Sequence, residues 1–98
     1  MTFSNTNPST TLERVKEKQR YPEARVIVLD DDINTFKHVV STLIKIIPNM
    51  NEDKAWKLAN KIDKDGLAEV WSGPLEQAEL YHQQLSSEGL TMAPLERI

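Results

Sequence analysis

The sequence predicts an α+β domain: a small three-stranded antiparallel sheet with three helices packed on it, in the order βααβαβ. Two observations lead to this prediction. Short apolar runs alternate with longer segments in which apolar residues recur every three or four positions. Glycine or proline separates most of these segments, as is usual between helices and strands. A chain of 98 residues, 39% of them hydrophobic, suffices for one core.

Residues 1–23 are predicted to form a mobile N-terminal extension, and residues 24–98 the folded domain. The extension begins with Ser, Thr and Asn and continues with mixed charges, without an apolar face at helical spacing. Tyr21 precedes Pro22, and this favours extended backbone at the boundary. The extension also lacks the apolar centre of a secretory signal.

The folded part is predicted to start with a buried strand at Arg25–Leu29, because this apolar run is continuous and rich in β-branched residues. From Phe36 the apolar residues recur at the spacing of an amphipathic helix, which ends at Pro48. The inner face of this helix is predicted to hold Phe36, Val39, Val40, Leu43, Ile44 and Ile47.

Two more helices and two more strands are predicted in the second half. Asn51 can cap a helix that Gly66 ends, and Leu67–Ser72 follows as a strand. The inner face of that helix is predicted to hold Ala55, Leu58, Ala59 and Ile62. The third helix opens with Pro74 at its first position and ends at Gly89. It is anchored by Leu75, Ala78, Leu85 and either Tyr81 or Leu80. Leu90–Glu96 is the last strand, at an edge or bulged because of Pro94.

The composition argues against several classes of function. A net charge of −3 is unusual for a nucleic-acid binder, and no apolar stretch approaches the roughly 20 residues that span a membrane. The absence of cysteine removes disulfides and thiolate chemistry. His38 and His82 lack partners at ligand or triad spacing and are expected on the surface. We therefore expect no metal, no cofactor and no catalytic site.

Three consecutive carboxylates, Asp30–Asp32, are the chemically unusual feature. Asp32, Asn34 or Thr35 could cap the helix that begins near Phe36, and this explains one or two of the acids. A strand that ends in acids also opens the magnesium-binding receiver domains of two-component signalling. That alternative is disfavoured, because the later strands do not end in the Asp and Lys that those domains require.

The segment from Val26 to Phe36, continued by Val39, Val40 and Leu43, resembles the signature of ClpS-type adaptors of the ATP-dependent Clp protease. The likeness extends over roughly residues 25–97. It continues in later segments, which contain Ala55, Ala59, Ile62, Asp63, Gly66, Glu76, Ala78, Glu79, Gly89, Leu90, Leu95 and Glu96.

The resemblance implies a protein that is not an enzyme. ClpS-like adaptors bind proteins whose first residue is large and hydrophobic, the N-degrons of the N-end rule. They deliver these substrates to the N-terminal domain of a ClpA- or ClpC-type AAA+ unfoldase. The implied location is the bacterial cytoplasm. A related plant-type protein would work in the plastid stroma, although no transit peptide is visible.

A free N-terminus is a cation beside an apolar side chain, so its site needs acceptors next to an apolar pocket. By the resemblance, the amine is bound by Asp30, Asp31 and Asp63. The pocket is formed by Asn34, Phe36, Val39, Ala59, Ile62 and either Met92 or Thr91. The unfoldase contacts are Glu76 and Tyr81.

Asp30, Asp63 and Tyr81 depart from the family pattern, as does Phe36, which stands where the family often has a Met-like residue. Asp30 stands where Asn is usual, Asp63 where His is usual, and Tyr81 where Lys is common. The first two departures add negative charge, which can strengthen the attraction for an ammonium or raise the pKa of one carboxyl through repulsion. Two functions stay open: an N-degron adaptor, or a Clp-docking regulator whose N-degron binding is altered or lost.

Overall fold

The computed structural model describes residues 21–98, and only the last three residues of the predicted extension fall within this range. The element order confirms the predicted α+β class. The elements are β1 (Glu23–Leu29), α1 (Phe36–Ile46), α2 (Glu52–Asp65), β2 (Leu67–Pro74), α3 (Leu75–Ser87), β3 (Thr91–Met92) and β4 (Glu96–Arg97). Within the described part of the chain, no helix has the length and apolarity needed to cross a bilayer.

β1 is the central strand of the sheet. It pairs antiparallel with β2 on one side and with both β3 and β4 on the other. The single last strand predicted at Leu90–Glu96 is thus two short strands instead. Pro94 lies between them and has no backbone N–H to donate, so the ladder is interrupted there.

A bulge in the β1–β2 ladder increases the apolar surface that the sheet contributes. The register shifts so that Val26 pairs with Trp71 and Ile27 with Glu69, which leaves Val70 as the extra residue. Val70 is buried and Trp71 packs against the core, so two consecutive residues contribute to it. On the exposed surface, Arg25 forms ion pairs with Glu69 at 3.0 Å and Glu96 at 2.8 Å.

The core lies between the sheet and the helices. Ala24, Val26 and Val28 are buried along β1, Val39, Val40 and Leu43 face the core from α1, and Ile47, directly after α1, is buried with them. Two residues predicted for that face are largely outside it: Ile44 is 41% exposed and Phe36 is 36% exposed. Ile44 lies at the margin of the apolar stripe and Phe36 in the first turn, so both reach beyond the packed surface.

The helix ends follow the local chemistry of the sequence. Of the three candidates for the α1 cap, Thr35 fills the position, and its Oγ1 accepts the backbone N–H of His38 at 3.1 Å. Asn51 caps α2 as predicted, accepting from Lys54 N at 2.8 Å. Gly66 ends α2 with φ +89°, as predicted. Pro74, however, is the last residue of β2, and α3 starts one residue later than predicted.

Three further side chains are placed by their contacts. Tyr81, not Leu80, supports α3 from inside: its ring meets Trp71 edge-on with centroids 4.9 Å apart, whereas Leu80 is exposed. Both histidines, predicted at the surface, are half-buried. His38 Nε2 lies 2.8 Å from the carbonyl of Glu88, and His82 Nε2 lies 2.8 Å from that of Ala93.

Candidate functional site

The three carboxylates lie in the loop between β1 and α1, residues 30–35, which we call the acidic loop. Its start is tied to the end of α2, because Asp30 N–H donates to the carbonyl of Gly66 at 2.9 Å. Asp31 then folds the loop back on itself. Its Oδ1 accepts the backbone N–H groups of Ile33 at 2.9 Å and Asn34 at 2.7 Å, an Asx-type turn.

The other oxygen of Asp31 joins the acidic loop to β3. Asp31 Oδ2 accepts from Asn34 Nδ2 at 2.6 Å and from Thr91 Oγ1 at 2.7 Å. With the backbone bond from Asn34 as the largest cause, followed by the Thr91 hydroxyl, these donors hold the pKa of Asp31 well below its usual value. A carboxylate has about four lone-pair sites, so Asp31 is close to saturated.

Asn34 is oriented by its two donated bonds. One amide proton goes to Asp31 Oδ2 and the other to the carbonyl of Gly89 at 2.9 Å. These two acceptors decide which side of the amide is nitrogen and which is oxygen. Among residues 21–98, no donor reaches Asn34 Oδ1, so this oxygen is the atom of the side chain that can accept.

A small cavity of about 20 Å³ lies beneath the acidic loop. Its apolar walls are Val28, Leu29, Val39, Ile62 and Leu90. Its polar side is formed by Asp30, Asp31, Asn34 and Thr91. A volume of this size is enough for about one water molecule.

The structure brings together five of the residues that the sequence suggested for binding. Asp30, Asp31, Asn34, Val39 and Ile62 all line this cavity. Of the two alternatives at the start of the last strand, Thr91 lines it and Met92 does not.

The remaining suggested residues lie elsewhere. Ala59 is part of the buried core, and Met92 packs against that core beside Val28. Asp63 is exposed on α2, one residue after Ile62, and its carboxylate forms no hydrogen bond or ion pair within the described range. Phe36 lies against Trp56, with ring centroids 6.1 Å apart.

Sequence reasoning missed four residues of this region. Val28, Leu29 and Leu90 line the cavity, and Trp56 covers Phe36. Leu90 had a usable signal, because an apolar residue directly after the glycine that ends a helix often turns inward. Trp56 had none, because its pairing with Phe36 depends on how α1 and α2 cross.

The two suggested unfoldase contacts do not share one surface. Glu76 is exposed in the first turn of α3, beside a groove of about 460 Å³ formed with Tyr21, Pro22, Pro74, Leu75 and Gln77. Tyr81 is five residues further along the helix, on a different side, and half-buried against Trp71. Within residues 21–98, no group of three His, Asp or Glu side chains is arranged to hold a metal ion.

The fold and the site define a small α+β domain in which an acidic loop closes over an apolar cavity, and comparison with known proteins names its class. Residues 19–96 match the family described as ATP-dependent Clp protease adaptor protein ClpS. The chain therefore belongs to the ClpS family.

Several relatives carry this name or a closely similar one. The ATP-dependent Clp protease adapter protein ClpS of Synechocystis is 62% identical over 80 residues, 82% of each chain. The protein of the same name from Nostoc is 55% identical over 94 residues, 94% of this chain and 97% of the other. A chloroplastic Clp protease adapter protein of Arabidopsis thaliana is 36% identical over 75 residues, 76% of this chain and 47% of that protein.

Proposed function

We propose that this ClpS-family adaptor recognises the free N-terminus of proteins that begin with a large hydrophobic residue and delivers them to a Clp AAA+ unfoldase for degradation. The observation that carries the proposal is the meeting of carboxylates and apolar walls at one cavity. The proposed role involves binding and hand-over only, with no chemical step on the adaptor. The cytoplasm is the proposed compartment.

The chemistry of an N-terminal residue matches the two sides of the cavity. An α-ammonium is a cation with a pKa of about 8, and it binds best to oxygens that can accept charge-assisted hydrogen bonds. Asp30 is exposed at the cavity, and its side chain makes no bond within residues 21–98, so it is free to accept. Burial of a Leu or Phe side chain against the apolar walls is worth about 1.5–3 kcal/mol.

The proposal requires the cavity to widen. Its volume of about 20 Å³ is far below the roughly 150 Å³ of a cavity that accepts benzene. The walls belong to separate elements, with Val39 on α1, Ile62 on α2 and Leu90 just before β3. Small displacements of these elements would therefore enlarge the space.

Peptide binding tests the proposal directly. We expect a peptide that starts with free Leu or Phe, labelled at its C-terminal end, to bind, and its N-acetylated form to bind far more weakly. Asp30→Ala should weaken binding of the free form at least about tenfold, since a hydrogen bond to a charged group is worth about 1.5–3 kcal/mol.

Asp32→Ala is the matched control for Asp30→Ala. Asp32 is an exposed acid of the same loop that does not line the cavity. Asp32→Ala changes the net charge by the same amount as Asp30→Ala. Because Asp32 lies outside the cavity lining, this substitution should leave peptide binding almost unchanged. Equal affinity of wild type for the free and acetylated peptides would contradict the proposal.

A second candidate function is a regulator that docks on the unfoldase without binding N-degrons. Two observations favour it: the cavity holds only about 20 Å³, and Asp31 already has four hydrogen-bond donors. This function predicts binding to the N-terminal domain of a ClpA- or ClpC-type unfoldase but none to a panel of peptides with different first residues. A titration of that panel distinguishes the two functions.

A further inference from the structure

We propose that Thr91 is a positioning residue for the N-terminal amine, acting through Asp31 to aim Asn34 Oδ1 at the ammonium. The inference rests on the proposed function of the same cavity. Its basis is a continuous chain of hydrogen bonds from β3 to the acidic loop, Thr91 to Asp31 and Asn34 to Asp31 and Gly89.

The first link of this chain is rigid because Thr91 is part of the sheet. Thr91 is opposite Leu29 of β1 in the β1–β3 ladder, so its position is set by the strand pairing. Its hydroxyl has one proton, which it gives to Asp31 Oδ2 at 2.7 Å. Because the acceptor is an ionised carboxylate, the bond is of the strong, charge-assisted kind.

The second link is the orientation of the Asn34 amide. Asp31 Oδ2 lies between the Thr91 hydroxyl and Asn34 Nδ2, which is 2.6 Å away. With the carboxylate held in place, Nδ2 directs one proton to it and the other to the carbonyl of Gly89. Asn34 Oδ1 is then turned away from both acceptors, and it belongs to a residue that lines the cavity.

The two aspartates at the cavity, Asp30 and Asp31, therefore have different roles. Asp31 is occupied by donors from the protein itself, so it orients its neighbours instead of binding the ligand. Asn34 Oδ1 supplies a neutral acceptor of fixed direction, and Asp30 supplies the charge. Loss of the Thr91 hydroxyl would leave Asp31 one bond short and allow the amide to turn its nitrogen towards the cation.

The test compares Thr91→Val, which removes the hydroxyl at nearly constant shape, with Thr91→Ser, which keeps it. We expect Thr91→Val to weaken binding of the free-amine Leu peptide about tenfold, as for one lost charge-assisted bond, while binding of the acetylated peptide is unchanged. Thr91→Ser should restore most of the affinity. Ser72→Ala, at the opposite end of the sheet beside Arg25, serves as the unaffected control.

A double-mutant cycle with Asp31→Asn shows whether Thr91 acts through Asp31. Asparagine at position 31 cannot accept on its nitrogen side, so the Thr91 hydroxyl loses the carboxylate oxygen that accepts its proton. Thr91→Val should then cost little further affinity in the Asp31→Asn background, a clear non-additivity. Full additivity of the two losses would overturn the inference.

The outcomes for the two proposals are distinct. If wild type does not distinguish free from acetylated peptide, the proposed function itself is wrong. If wild type distinguishes them and Thr91→Val distinguishes them equally well, the function stands and the role of Thr91 is refuted. Thermal melting of each variant identifies any loss that comes from unfolding, and Thr91→Ser keeps the test decisive if Thr91→Val does not fold.

Discussion

At the scale of single residues, Asp31 shows how one carboxylate of the acidic loop can be used entirely in internal hydrogen bonds. Its four donors include the backbone N–H groups of Ile33 and Asn34, which it accepts within this turn. The residue belongs to the acidic loop by sequence, but its bonds reach Thr91, 60 positions away. It therefore connects the loop to the sheet.

We expect Asp31→Asn to lower the free energy of unfolding by about 1–3 kcal/mol at pH 7. The reason is that two donors, Asn34 Nδ2 and the Thr91 hydroxyl, would face an amide nitrogen in place of Asp31 Oδ2. The folded-state pKa of Asp31 is lowered, so its contribution is fully present above the unfolded value of about 3.9 and declines as pH falls from there towards the folded-state pKa. The difference between wild type and variant should thus shrink from pH 7 to pH 3. Denaturant unfolding at both pH values measures it.

Asp32→Asn is the control for this stability measurement. Asp32 is next to Asp31 and exposed, and its side chain forms no hydrogen bond within the described residues. We expect its unfolding free energy to stay within about 0.5 kcal/mol of wild type, as for ordinary surface substitutions. A variant difference for Asp31 that is equal at both pH values would refute the ionic part of this account.

At the scale of elements, β2 carries a close contact that only glycine permits. A Cβ at Gly73 would lie 2.5 Å from Cη2 of Trp71, and the Trp71 ring is itself packed against Tyr81. We expect Gly73→Ala to destabilise the domain by about 1–3 kcal/mol, the usual cost of overpacking. Thermal melting with Ser72→Ala as control tests this, and an unchanged melting temperature for Gly73→Ala would contradict it.

The fluorescence of Trp56, which lies where α1 and α2 meet, can report an opening of the cavity. Trp56 of α2 lies against Phe36 of α1, and the same two helices supply the walls Val39 and Ile62. If the helices separate to admit a side chain, the surroundings of Trp56 change. We expect Leu-peptide binding to shift tryptophan fluorescence in Trp71→Phe, in which Trp56 is the remaining tryptophan. The same signal should be absent from Trp56→Phe, and a signal that follows Trp71 instead would refute this motion.

At the scale of the whole molecule, the two proposed binding surfaces are at opposite ends of β1. The strand begins at Glu23, beside the start of α3, where Leu75 N–H donates to the carbonyl of Pro22 at 2.9 Å. It ends at Leu29, which lines the cavity. Seven strand residues span about 20 Å. Peptide binding and unfoldase docking can therefore be changed separately.

We expect Glu76→Lys to weaken binding to the unfoldase N-terminal domain at least about fivefold while peptide affinity is unchanged, because it reverses an exposed charge far from the cavity. Tyr81→Ala should instead lower the melting temperature, since it removes an aromatic contact of the core. Pull-down or interferometry with the isolated unfoldase domain, together with melting curves, separates the two effects. Loss of peptide binding in Glu76→Lys would contradict the separation.

Features that depend on local chemistry were predictable from the sequence, and those that depend on distant contacts were not. The Asn51 cap, the Gly66 stop and the alternation of strands and helices follow from neighbouring residues. The full set of hydrogen bonds to Asp31 includes one from the distant Thr91. The exposure of Ile44 depends on where the surface packed against α1 ends. The size of the cavity is set by walls from separate elements, which no single segment reveals.

The central position of β1 also determines how the domain would respond to mechanical force. A pull on the chain at residue 21 would act along β1, whose ladder to β2 lies on one side and whose ladders to β3 and β4 lie on the other. The hydrogen bonds of those ladders run across the direction of the pull, so they would share the load and break together. The fold should therefore resist extraction from its N-terminal side more strongly than peeling from Ile98, where β4 contributes only two residues.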